Sequence, residues 1–72
     1  MNKYLPHRLR ALRERRGMSR RTLSELCGLS QNMIAVYERG EADPSTDTLC
    51  QLADLFNVST DYLLGREKKF SE

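Results

Sequence analysis

The stretch Leu23-Ser24-Glu25-Leu26-Cys27-Gly28-Leu29-Ser30-Gln31-Asn32-Met33-Ile34-Ala35-Val36-Tyr37-Glu38-Arg39-Gly40 decides how this chain is read. Leu23, Leu26 and Cys27 recur at helical spacing and are expected to face inward on one short helix, which Ser19 caps and Gly28 breaks. Ser30 is the expected N-cap of the next helix. Its apolar positions Met33, Ile34 and Tyr37 lie at i, i+1 and i+4, and Gly40 closes it. Two short helices therefore flank a glycine-containing turn of about three residues.

Outward from this pair, the same punctuation yields three more helices. Toward the N-terminus, Leu5, Leu9 and Leu12 form an i, i+4, i+7 stripe. Pro6 is tolerated in the first turn, and Gly17 stands where a left-handed residue ends the helix. Toward the C-terminus, Ser45 follows the loop 41–44 as an N-cap, and Asp47 complements the helix dipole. Leu49, Leu52, Ala53 and Phe56 then repeat at i, i+3, i+4 and i+7. Asn57 and Val58 make a turn, Ser59 caps a last short helix with Asp61 near its start, and Leu63 and Leu64 precede Gly65. No stretch alternates with period two over a useful length, β-branched residues are few, and there is neither an internal repeat nor a low-complexity segment. The expected fold class is all-α: one domain over residues 1–72, with a core at 8–65 and a polar tail at 66–72.

Composition bounds the function. With 72 residues, the chain buries about 60% of its extended surface on folding, enough for one modest core and no second domain. Two cysteines cannot staple a small secreted scaffold, and no apolar stretch is suited to export or to crossing a membrane. A mean hydropathy of −0.64 with 39% hydrophobic residues fits a soluble globular chain in a reducing cytoplasm. Charge is polarised. Residues 1–22 carry eight Lys and Arg against Glu14 alone, a net of +7; residues 23–72 carry four against nine acids, a net of −5. Such a chain presents a basic end to a polyanion, unless the arginines simply solvate a helix face.

Together, the paired helices and the basic end match the helix-turn-helix pattern. The residues quoted first, with Pro44-Ser45, Thr48-Leu49, Leu52-Ala53, Val58-Ser59 and Asp61-Tyr62-Leu63-Leu64-Gly65, resemble the phage-repressor and Cro family of bacterial DNA-binding regulators, also called the XRE family. The resemblance covers about residues 8–65. It implies a compact five-helix repressor-like domain with its helix-turn-helix at helices 2 and 3, which binds double-stranded DNA as a dimer with the third helix in the major groove.

Matched position by position, the resemblance implies that Gln31, Asn32 and Val36 read base edges, and that Met33 touches sugar-phosphate or a thymine methyl. Chemistry agrees for the amides: Gln31 and Asn32, read as first-turn residues of the third helix, can each pair with adenine N6 and N7. Helix N-termini also aim backbone N–H groups at phosphate. Arg20 replaces a glutamine usual in relatives and would meet a phosphate; Arg39 and Arg10 are further phosphate candidates. Arg8, Arg15, Arg16 and Arg21 are assigned to the solvated face. Arg13 and Glu38 match positions where an arginine of the first helix meets a glutamate near the end of the third, an ion pair expected to be partly buried.

Departures from the family pattern are Ser24 in place of alanine, the apolar Val36, and the acidic Glu41 and Asp43 in a loop that often approaches the DNA backbone. The chain also ends soon after the fifth helix, so no effector or assembly domain is expected. Leu63 and Leu64 are adjacent and cannot both enter one small core. With Tyr62 and Phe56 sharing the exposed side, they suggest a homodimer through the C-terminal helices. His7 is alone, and no cofactor, metal or small-molecule site is evident. Cys27 and Cys50 are read as ordinary core thiols, and Tyr4, Tyr62 and Phe70 as too scattered for a stacking platform. No nucleophile–base pair argues for an enzyme. The reading is a sequence-specific regulator, a cytoplasmic repressor of bacterial or phage origin that joins the nucleoid when bound. The alternative is an antitoxin-like or anti-repressor module that masks a partner protein, favoured by the acidic second half.

Overall fold

The computed structural model describes residues 2–66; most of the expected polar tail, with Phe70, lies outside the described residues. Five helices follow one another: α1 (Leu5–Arg15), α2 (Arg20–Leu26), α3 (Met33–Glu38), α4 (Thr46–Phe56) and α5 (Thr60–Leu64). Three serines start helices by accepting an N–H three residues on: Ser19 from Thr22, Ser45 from Thr48 and Ser59 from Tyr62. Pro6 sits in the first turn of α1, and Asp47 and Asp61 lie in the first turns of α4 and α5. Helix α1 packs against α3 and α5, α2 against α3, and α4 against α5. Between them Leu5, Leu9, Leu12, Leu23, Cys27, Ile34, Tyr37, Leu52, Ala53, Phe56 and Leu63 form one core. Among the described residues there is no strand, and no helix is long and apolar enough to cross a membrane.

The start of α3 differs from expectation. Ser30 is not its cap: the helix begins at Met33, Asn32 is the flanking residue, and no side chain of its own turn caps it. Ser30 instead accepts the Met33 N–H with its carbonyl at 3.1 Å, so Ser30, Gln31 and Asn32 belong to the turn between helices. The cap comes from across the interface. The Ser24 hydroxyl, fully buried on α2, accepts the Ile34 N–H at 3.4 Å. This satisfies one of the donors that every helix start leaves open. Ser24→Ala is therefore expected to cost no more than about 1 kcal/mol, because the bond is long. Ser24→Leu should cost about 1–3 kcal/mol or more by overpacking the closest approach of α2 and α3. Urea denaturation of the two variants checks the order.

Ser24 also explains a second departure. With Ser24 drawn fully inward beside Leu23 and Cys27, α2 is rolled so that Leu26 points out, 52% exposed. Phe56 is likewise not on an exposed side but in the core, 4% exposed, since α4 is held there by Leu52 and Ala53 one turn earlier. Cys27 is buried and burial pushes its thiol up from the usual range, whereas Cys50 faces solvent. Leu52, Ala53 and Phe56 take the inner face of α4 and leave Cys50 on the outer one.

Residues that the sequence left unassigned close the N-terminal end. Asn2 Oδ1 accepts the N–H groups of Tyr4 and Leu5, acting as the cap of α1, and its amide donates to the Leu64 carbonyl at 2.9 Å. Arg8 is not on a solvated face. Its guanidinium lies 4.4 Å from the Tyr62 ring centre and 5.6 Å from that of Tyr4, and it donates to the Tyr62 carbonyl. The two tyrosines, distant in sequence, thus converge on one cation. Gly65 has φ +70°, and a side chain there would collide with the Tyr4 ring, so the latch requires glycine twice over.

Candidate nucleic-acid interface

Helix α3 is only six residues long, and its two sides are chemically distinct. Ile34 and Tyr37 turn inward at 0% and 4% exposure. Asn32, Val36 and Arg39 recur at i, i+4 and i+7 on the other side, with Gln31 and Asn32 exposed and Val36 half-buried. Met33 is half-buried and packs on the core, so part of it is already used for stability. The amides therefore stand in the turn that leads into α3 rather than in its first helical turn. They are free of the helix ladder and open to a partner.

What fixes this surface is a buried carboxylate. Glu38, at the end of α3 with a side chain 3% exposed, receives Arg13 Nε at 2.7 Å and Arg13 Nη2 at 3.2 Å. Arg13 is itself 8% exposed and donates its remaining Nη1 to the Met18 carbonyl at 2.7 Å. The hydrogen bond that Arg13 donates to Glu38 is the main cause raising the Arg13 pKa, outweighing the opposite effect of burial. A third donor arrives from α2: Arg20 Nε lies 3.0 Å from Glu38 Oε1, with the side chain 47% exposed. One carboxylate thus joins α1, the start of α2 and the end of α3, setting the angle at which the turn and the outer stripe are presented.

Three more arginines are paired with carboxylates. Arg39 makes a fork-to-fork contact with Glu41 at 2.9 and 3.2 Å, and Arg10 meets Glu14 one turn away at 3.0 Å. Arg21 pairs with Glu25 at 3.5 Å, and Arg16 lies over the Phe56 ring. Arg20 opens α2 and meets Glu38, the neighbour of Arg39 at the end of α3; Arg10 lies on α1. Sequence reasoning missed Glu41 as the partner of Arg39 and Arg20 as a partner of Glu38. It also missed the Arg10–Glu14 pair, which a spacing of four on one helix could have signalled.

Fold and site together define a helix-turn-helix unit: two short helices, the second locked to α1 by a buried ion pair, with an amide-bearing turn in front of it. The helix-turn-helix family model matches residues 9–63, and the chain belongs to that family, in its phage-repressor (XRE) branch. It is 42% identical over 64 residues to the HTH-type transcriptional regulator ImmR of Bacillus subtilis, covering 89% of this chain and 50% of that one. It is 33% identical over 61 residues to the uncharacterized HTH-type transcriptional regulator YazB of the same organism, covering 85% and 88%. The chain spans about half the length of ImmR and of AnsR, another Bacillus subtilis regulator. Among solved structures it is similar to the P22 c2 repressor protein in complex with a synthetic operator. That match has a TM-score of 0.83 and 29% identity, over 90% of this chain and 98% of that one.

Proposed function

We propose that this chain is a sequence-specific double-stranded DNA-binding transcriptional regulator, a repressor that acts by occupying a two-fold symmetric operator rather than by catalysis. The observation that carries the reading is the exposed pair Gln31 and Asn32 in front of α3, held in place through Glu38 and continued by Val36. The likeness of the whole helical unit to an operator-bound repressor supports it. Gln31, Asn32 and Val36 read base edges, the amides by paired hydrogen bonds and Val36 by apolar contact with a thymine methyl. Met33, Arg20, Arg39 and Arg10 fix the register on sugar and phosphate, which positions the protein without informing it of sequence.

The unit at residues 8–65 works as a homodimer in the cytoplasm, joining the nucleoid when bound. Leu63 enters the core and leaves Leu64 and Tyr62 half-buried on α5, apolar surface for a weak two-fold contact. Selection of bound DNA from random-sequence duplexes tests the reading. The expected product is one enriched motif with two inverted half-sites about one helical turn apart, bound by two subunits. Recovery without an enriched motif would favour a partner-masking module instead.

A further inference from the structure

We propose that Glu41 sets how strongly this chain holds DNA of any sequence, by keeping Arg39 neutralised until phosphate takes its place; the inference rests on the DNA-binding reading above. Arg39 closes the outer stripe of α3, seven residues after Asn32 and three after Val36, so a surface that reads bases with this stripe brings Arg39 against the backbone of the same groove. Gly40 at φ +73° then reverses the chain, and the Glu41 N–H bonds back to the Val36 carbonyl at 3.1 Å. This folds the Glu41 carboxylate beside the guanidinium, where it accepts from Nε and Nη2 at 2.9 and 3.2 Å. Both side chains are more than half exposed.

The contrast with Glu38 defines the role. Glu38 is buried, shared by two arginines and structural, whereas Glu41 holds a solvent-facing arginine and contributes little to stability, as exposed pairs do. Geometrically, the carboxylate occupies the planar, bidentate position that a phosphate would use. The pair therefore approaches DNA as a nearly neutral unit and releases few counterions. An unmasked Arg39 would approach as a full cation, and each phosphate neutralised adds about 0.9 to the slope of log affinity against log salt. The acidic residue that looks wrong for a DNA-facing loop thereby limits retention on random sequence.

Binding of wild-type, Glu41→Gln and Arg39→Gln/Glu41→Gln proteins to a random-sequence duplex, between 50 and 200 mM salt, tests this. Glu41→Gln is expected to bind about five- to tenfold more tightly near 0.1 M salt and to steepen the slope by about 0.9. The double variant is expected to return to the wild-type slope, whereas Arg15→Gln/Glu41→Gln, of the same net charge but with Arg39 still unmasked, should keep the steep one; this separates unmasking of Arg39 from a change in net charge. An unchanged slope in Glu41→Gln would overturn the proposal, as would a steeper slope that persists without Arg39. If the wild-type protein bound no duplex at any salt, the DNA-binding reading itself would fall, an outcome distinct from either of these.

Discussion

Glu38→Gln is expected to lower stability by about 3–5 kcal/mol, because it strands the Arg13 guanidinium in a nearly dry site. Arg13 is 8% exposed, and two of its three hydrogen-bonding nitrogens end on the Glu38 carboxylate. For a domain of this size, each kcal/mol shifts the melting temperature by about 4–8 °C, so the midpoint should fall by more than about 12 °C. Arg13→Met should cost less than Glu38→Gln, since Arg20, reaching in from the solvent side, remains 3.0 Å from the carboxylate. Replacing both partners by apolar residues of similar volume should recover much of the loss, because a buried pair is held against a large desolvation cost. A melting temperature unchanged in Glu38→Gln would mean that the pair behaves as a loose surface contact worth under about 1 kcal/mol.

Ile34→Ala is the second large effect. Ile34 is fully buried on the inner face of α3, and its N–H is the one that Ser24 caps. Truncating a buried isoleucine costs about 2–5 kcal/mol through lost transfer energy and the cavity left behind. A chain of this length has roughly 4–11 kcal/mol in total, so up to half or more would go. Val36→Ala, half-buried on the opposite side, should cost under about 1 kcal/mol and leave a folded protein. Chemical denaturation of the two variants reads out which side of α3 faces the core; the reverse order would place the helix half a turn away from the orientation described.

The helix starts at Ser19, Ser45 and Ser59 were legible because each cap is local chemistry: a hydroxyl meets an N–H three residues ahead, whatever the rest of the chain does. Ser30 has the same chemistry and fails, because the turn before α3 is set by contacts from elsewhere. The Leu29 N–H bonds to the Ser24 carbonyl at 2.8 Å, and the Ser24 hydroxyl takes over the capping of α3. Leu26 was misplaced for a related reason. Spacing identifies an apolar stripe, but the roll of a seven-residue helix is decided by whichever residue its neighbour approaches most closely, here Ser24.

At the site, the Arg13–Glu38 geometry follows positions that the family resemblance pointed to, and the exposure of Gln31 and Asn32 was readable from their polarity, although the sequence placed them in the first turn of the helix rather than in the turn before it. The ion pairs were legible only in part. Arg10 and Glu14 are four apart on one helix, but Arg39 and Glu41 meet only because Gly40 reverses the backbone between them. Arg20 and Glu38 are eighteen residues apart and meet only when α2 and α3 are packed. Arg8 was lost to the solvated face because nothing local announces that Tyr4 and Tyr62 will enclose it.

In the proposed complex the turn before α3 reads bases, while Arg20, besides bracing Glu38, touches the DNA only at a phosphate. The most direct measurement is the affinity of Gln31→Ala for every single-base variant of the selected operator, with the salt slope measured beside that of Arg20→Ala. Gln31 is exposed, so the variant should fold as the wild type does. Gln31→Ala is expected to lose about 1–3 kcal/mol of preference at one base pair per half-site and to keep its salt slope. Arg20→Ala should instead weaken binding to all sequences alike and reduce the slope by about 1. A Gln31→Ala protein that kept the wild-type order of preference at every base pair would contradict the account.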